Sequence, residues 1–255
     1  GLTSRQRGIV THRAAQLLFE ECSDRAALSR KEPGALRETI SWCAERALVR
    51  IFGATRKPLA WLFELEHERL CALLWQLAQQ DRQRADFSVV ATEQSRTVEL
   101  NGKTISLRID RIDRLASGCL AVIDYKTGSV ARIADWFGER LAATQIPIYS
   151  VALDDPVSAA AFCTLLPGRV GYRGVWTPND EFPGRPGTLP DSRGWQQQIE
   201  LWRRQVSELC DEFAEGDTRM FESKLDWASG PFAPLTRVYE QLALHRGWLP
   251  KGDGR

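Results

Sequence analysis

The chain has 255 residues, 43% of them hydrophobic and 26% charged, with a formal net charge of +1. This is an ordinary globular composition, long enough for one large domain or a core with insertions. No apolar run approaches the roughly 18 residues of a membrane span, and no secretory signal opens the chain. The near-zero charge neither demands nor excludes nucleic acid, whose binding needs a local basic lining.

The first residue is Gly1 rather than Met, so a fragment of a longer protein with a leftover residue in front is expected. Cys22, Cys43, Cys71, Cys119, Cys163 and Cys210 are scattered with no CxxC pair. That argues against a zinc knuckle and for reduced, mostly buried thiols of a cytoplasmic protein.

Residues 4 to 84 read as helical. Apolar stripes recur at helical spacing in Ile9, Val10, Ala14, Leu17 and Leu18, in Leu36, Ile40, Cys43, Ala47 and Leu48, and from Leu62 through Leu65 to Leu77. Glu32-Pro33-Gly34 and Lys57-Pro58 break this region into three helices. The period changes after Asp86. Segment 87 to 100 alternates and is rich in β-branched residues. Asn101-Gly102 is a strong hairpin signal, because a type I′ turn needs positive φ at both central positions. The return strand runs from Lys103 to about Leu115, Ser117-Gly118 turns the chain, and Cys119 to Lys126 forms a third strand of an antiparallel meander.

A helix from about Asp135 to Leu153 is expected next, then strands over 157 to 166 and 169 to 177. A Pro- and Gly-rich loop fills 178 to 194, Trp195 to Ala214 is a helix, and a short helix is expected around Leu235 to Leu244 in an otherwise irregular tail. The organisation read from this is a single domain over 1 to 255: a helical part to 86, a core over 87 to 177, and a C-terminal helix and wrapping tail over 178 to 255.

The third strand ends Asp124-Tyr125-Lys126-Thr127-Gly128. Side chains two apart on a strand share a face, so Asp124 and Lys126 point together and Tyr125 points away. A surface salt bridge is the plain alternative. The preceding strand carries Asp110 and Asp113, three apart, so a regular strand lets only one meet Asp124. Asp110 is the choice, and a bulge would reverse it. Two carboxylates about 5 Å apart on neighbouring strands repel unless a cation lies between them. Hard divalent ions such as Mg²⁺ prefer those oxygen ligands.

Three segments then bear a resemblance: Arg108-Ile109-Asp110-Arg111-Ile112-Asp113, Val122-Ile123-Asp124-Tyr125-Lys126-Thr127-Gly128, and Gln145-Ile146-Pro147-Ile148-Tyr149. Together they resemble the RecB-like branch of the PD-(D/E)XK nuclease superfamily, most nearly the C-terminal nuclease domain of AddB-type probable DNA repair proteins. Leu107 stands where that family typically has Gly. The resemblance implies an α/β restriction-endonuclease-like core, a central mixed sheet flanked by helices, with an N-terminal helical layer over the site. A strand after helix 135 to 153 would pair parallel to an earlier one.

It implies a metal-dependent deoxyribonuclease using Mg²⁺ or Mn²⁺. Asp110 and Asp124 would hold the metal with the Tyr125 carbonyl. Lys126 would orient the attacking water and stabilise the phosphate. Gln145 and Tyr149, four apart on one helix face, would approach the active site or the DNA, although such a pair alone reads as packing and surface. Pro147 suits only a first helical turn or a kink, placing the helix start near Thr144.

Gly8 and His12 loosely match the family's upstream helix whose His joins the metal, against the reading of a structural His. Glu93 reads as a solvated strand residue, with a supporting site role as the minority view. The relatives' iron–sulfur cysteines have no counterpart in Ser229 to Val238, where Thr236 replaces the last of them, so no cluster is expected. Trp195, Trp202, Trp227 and Trp248 are expected to pack the terminal segments. The partners implied are DNA and a helicase or helicase-like subunit, with no membrane. The competing hypotheses are a catalytically inactive nuclease-fold module that binds DNA or scaffolds a helicase, and, more distantly, an unrelated α+β binding module with Asp110 and Asp124 far apart.

Overall fold

The computed structural model describes residues 1–53, 60–128, 132–177, 182–184 and 186–216. The chain divides into two units, Gly1–Asp211 and Glu212–Arg255. Of the second unit, only residues 212–216 are among those described.

The N-terminal region is helical throughout its described part. Helix α1 (Ser4–Glu21) starts at a capping box in which Thr3 and Gln6 satisfy each other's backbone N–H. A one-turn helix α2 (Arg25–Arg30), capped by Asp24, precedes α3 (Pro33–Phe52), which opens with Pro33 in its first turn. Helix α4 spans Ala60–Arg82. The break at Pro33 is as expected, α2 was not foreseen, and Lys57-Pro58 lies outside the described residues. Ile9 and Leu65, placed on apolar stripes by spacing, are exposed instead.

The sheet runs β1 (Phe87–Leu100), β2 (Lys103–Leu115), β3 (Leu120–Lys126), β4 (Val157–Leu166) and β5 (Arg169–Trp176), in that spatial order. All neighbours are antiparallel except β3 and β4. The Asn101-Gly102 hairpin closes as read, with positive φ at both residues and Leu100 opposite Lys103. The parallel β3–β4 step requires a crossover, which contains the helix α5 (Gln145–Val151).

The crossover corrects the expected helix from Asp135 to Leu153. A 3₁₀ turn, Ile133–Trp136, and the seven-residue α5 stand in its place. The carbonyl of Asp135 accepts the N–H groups of Ala142 and Ala143, and Gly138 adopts φ +107, so the chain doubles back where a helix would continue. Leu141 and Ile146 are buried all the same, which explains the apolar spacing. Helix α6 (Trp195–Glu215) follows a 3₁₀ turn at Pro190–Ser192. Of the tail's expected features, the Leu235–Leu244 helix, Trp227, Trp248 and the Ser229–Val238 stretch lie outside the described residues.

Two apolar clusters fill the two sides of the sheet. One joins α1, α3 and α4 to Ala121, Ile123 and Tyr125 of β3 and to Ala159, Ala161 and Cys163 of β4. The other joins α5, α6 and Trp136 to Ile112, Val122, Ala160 and Phe162. Trp202 is fully buried in it and donates Nε1–H to the Trp136 carbonyl at 2.8 Å.

At the β4–β5 contact, a Cβ on Gly174 would lie 2.0 Å from the Ala160 carbonyl oxygen. The three nearest atoms, in Ala160 and Ala161, are all backbone, so Gly174→Ala forces the strands apart. We expect it to destabilise the protein by about 3 kcal/mol, read as a fall in melting temperature of roughly 10 °C.

Candidate functional site

The acids gather through register. The Asn101-Gly102 turn pairs Thr92 with Arg111 and Gln94 with Ile109, which sets Glu93 opposite Asp110. The β2–β3 ladder ends at Arg111 opposite Ile123, and one step further Asp110 meets Asp124. Glu93, Asp110 and Asp124 therefore form a row across three adjoining strands.

The row sits at a local irregularity. Glu93 has φ +47, unusual for a non-glycine residue. Ile109 packs into the α5/α6 cluster while Arg111, two residues on, meets Phe19 of α1, so the pleat alternation fails at Asp110 between them. Beyond the last β2–β3 pair the Asp110 carboxylate takes over a backbone role, accepting the Tyr125 N–H at 2.7 Å.

Helix α1 brings His12 to this row. Buried Glu66 of α4 fastens the helix by pairing with Arg7 at 2.7 Å, and is itself held within α4 by Arg69 at 2.6 Å. One turn before His12, Gly8 lies so near β3 that a Cβ would come 3.2 Å from the Thr127 hydroxyl, which favours a residue without one. The His12 Nδ1 is 3.3 Å from Asp110 Oδ1 and 3.5 Å from Glu93 Oε1. Its ring meets Tyr125 edge-on, with centroids 5.7 Å apart. Burial alone would lower the His12 pKa, but the neighbouring Asp110 and Glu93 carboxylates outweigh it and raise it to about 10. Arg108, at 2.9 Å from Glu93, and Lys126, at 2.7 Å from Asp124, are the other cations beside these acids.

One ligand atom each from His12, Glu93 and Asp110 lie within 4.8 Å of one another, a spacing that could hold a metal ion. Asp124 stands beside this trio, and its pKa is raised to about 6. Burial is the largest cause and the Asp110 charge adds to it, while Lys126 works against both. Lys126 Nζ lies 2.7 Å from Asp124 Oδ2 and donates to Gln145 Oε1 at 2.7 Å, and Gln145 Nε2 donates to the Tyr149 hydroxyl at 2.8 Å. The ammonium also lies 5.0 Å over the Phe162 ring. Pro147 sits in the first turn of α5, whose N-cap is Thr144, so Gln145 and Tyr149 reach the lysine together.

The donor set fits a hard divalent cation. Glu93 Oε1 and Asp124 Oδ2 are buried oxygens that accept no hydrogen bond and are met only by ion contacts, from His12 at 3.5 Å and Lys126 at 2.7 Å. Buried carboxylate oxygens of that kind are costly unless a cation meets them.

The structure thus brings His12, Asp110, Asp124, Tyr125, Lys126, Gln145 and Tyr149 to one place. It adds Glu93, which is 12% exposed rather than solvated and also pairs with Arg108 at 2.9 Å. Asp113 goes elsewhere: fully buried, it pairs with Arg84 and Arg111 at 2.7 Å each. All six cysteines are free thiols, and the three fully buried ones are Cys22, Cys43 and Cys163.

A mixed sheet that presents acids and a lysine from adjoining strands, with helices on both sides, is an α/β nuclease core. The chain belongs to the PD-(D/E)XK nuclease superfamily, whose profile matches residues 1–225. No curated protein matches it. Among solved structures, that of SSO0001 is 13% identical and covers 78% of this chain and 73% of its own, with a TM-score of 0.23. At that score the likeness carries no weight. Among the described residues, no helix is long and apolar enough to cross a membrane.

Proposed function

We propose that the chain is a divalent-metal-dependent deoxyribonuclease of the RecB-like, AddB-type branch, hydrolysing phosphodiester bonds in DNA repair or recombination. The observation that carries this reading is the row Glu93, Asp110 and Asp124 flanked by His12 and Lys126. Asp110, Asp124, His12 and the Tyr125 carbonyl would hold the ion, with Glu93 added as a further acid. Mg²⁺ or Mn²⁺ suits the carboxylates, and the imidazole favours Mn²⁺. The ion, when bound, supplies Lewis acidity toward a phosphate oxygen and a more acidic water.

The chain's own residues do the rest. Asp124 and Gln145 fix the Lys126 ammonium, which has three donors and keeps one for a phosphate oxygen. It stabilises the charge that grows there and helps orient the incoming water. Tyr149 holds the Gln145 amide, so that the amide oxygen faces the lysine.

The second reading is an inactive nuclease-fold module attached to a helicase. Desolvated Asp124 counts against it, because a scaffold gains nothing from a strained acid. Incubation of the chain with labelled single- and double-stranded DNA and Mn²⁺, beside Lys126→Ala, tests the choice. We expect metal-dependent scission by the wild type that falls about a hundredfold in the variant. Equal background from both favours the scaffold.

A further inference from the structure

A second feature adjoins the acids on the side of β1. A cleft of about 650 Å³ lies between α1, α3 and the β1–β2 hairpin, with His12 and Glu93 in its lining. The same lining contains Arg13 of α1, Arg50 of α3, Arg108 of β2, Gln16 and Ile9. Three arginines face one carboxylate, so the lining is positive although the whole chain is nearly neutral.

The arginines are not equivalent. Arg108 is committed to Glu93 at 2.9 Å. Arg13 donates to Gln16 at 2.7 Å and reaches the half-exposed Glu20 only at 3.8 Å. Arg50 is exposed and has no ion-pair partner among the described residues. A guanidinium left in this state at the mouth of an acidic site is matched by an anion with several acceptor oxygens, such as a phosphodiester. The lining has no aromatic ring besides His12, which removes the usual platform for stacking bases.

We infer that this cleft is a phosphate-binding track for the DNA strand flanking the scissile bond, with Arg13 and Arg50 as its contacts and Arg108 linking it to Glu93. The inference rests on the nuclease reading and adds to it the side on which the strand lies and the way it is held. Phosphate contacts position a strand without reading its sequence. The track is therefore indifferent to sequence and sensitive to salt.

The test is fluorescence anisotropy of a labelled single-stranded oligonucleotide of mixed sequence, in Ca²⁺, across a salt series, with a gel to verify that the strand stays intact. Arg13→Ala with Arg50→Ala is compared with wild type and with Arg114→Ala, an exposed arginine of β2 paired with Asp155. The double variant should bind roughly tenfold more weakly at physiological salt. Its slope of log affinity against log salt should be shallower by about 0.7 for each lost contact, and the loss should be equal for all sequences. Arg114→Ala should match wild type. The inference is overturned if the double variant matches wild type, if it weakens binding with an unchanged slope, or if wild type does not bind. A chain that binds through these arginines but never cuts in Mn²⁺ defeats the nuclease reading alone. One that cuts while the double variant binds normally defeats the track alone.

Discussion

Asp124→Asn is expected to abolish Mn²⁺-dependent scission while leaving the metal-free protein at least as stable as wild type. Asp124 is buried beside Asp110, and its carboxyl is pushed up to about 6 by burial and by that neighbour. At neutral pH it is ionised against this resistance, with Lys126 as the partial remedy. An amide keeps the shape and removes the repulsion, so folding loses nothing. Catalysis loses an anionic ligand and the counter-charge that fixes Lys126, which together are worth several kcal/mol, or about a thousandfold in rate. Scission assays and thermal melts in EDTA on the same two proteins check both halves. A variant that cuts normally, or that unfolds well below wild type, contradicts the assignment of Asp124 as a residue held for function.

The second large effect lies on the other side of β2. Arg111 is fully buried, bonds both oxygens of Asp113 and one of Asp81 at 2.7 to 2.8 Å, and stacks 3.6 Å over Phe19. Arg84 pairs with the same two acids, and the Tyr172 hydroxyl donates to Asp81. Two buried cations thus neutralise two buried anions and tie α4, β2 and β5 together. Arg111→Ala leaves one arginine for two desolvated carboxylates, and we expect a loss of about 3 to 5 kcal/mol. Arg111→Lys should recover little, because an ammonium cannot make the fork of bonds.

The same network gives a pH dependence with a definite sign. Burial pushes the Asp81 pKa up, but Arg111, Arg84 and the Tyr172 hydroxyl outweigh it and hold it below the usual carboxylate value. Its folded pKa is therefore depressed. The stability it adds is present above about pH 4, the unfolded value, and is lost as pH falls through the folded value. Acid melts should show that loss in wild type and a weaker one in Asp81→Asn.

Much of this was legible in the residues. The hairpin and the helical layer follow from Asn101-Gly102, the strand alternation and the apolar stripes, whereas the parallel step after the crossover came only from what the family resemblance implies. Glu93 was also within reach: a two-residue turn at 101 and 102 pairs Leu100 with Lys103, and counting back sets Glu93 against Asp110. A supporting site role was only the minority reading of Glu93, because an isolated acid on a strand reads as solvated.

Asp81 and Arg84 could not be read in this way. Charges at a helix end normally face water, and the partners that bury these are distant in sequence. The expected helix from Asp135 failed for another reason. Apolar spacing records which residues are buried, and a folded-back loop buries Leu141 and the short α5 buries Ile146 as well as one long helix would have.

The most direct test of the acidic row is anomalous scattering from a crystal of this chain soaked in Mn²⁺. A single-site or paired peak between the carboxylates of Asp110 and Asp124, with His12 turned to it, is the expected result. Manganese elsewhere on the surface and none between those two acids, at concentrations that support scission by a known Mn²⁺ nuclease, would contradict it.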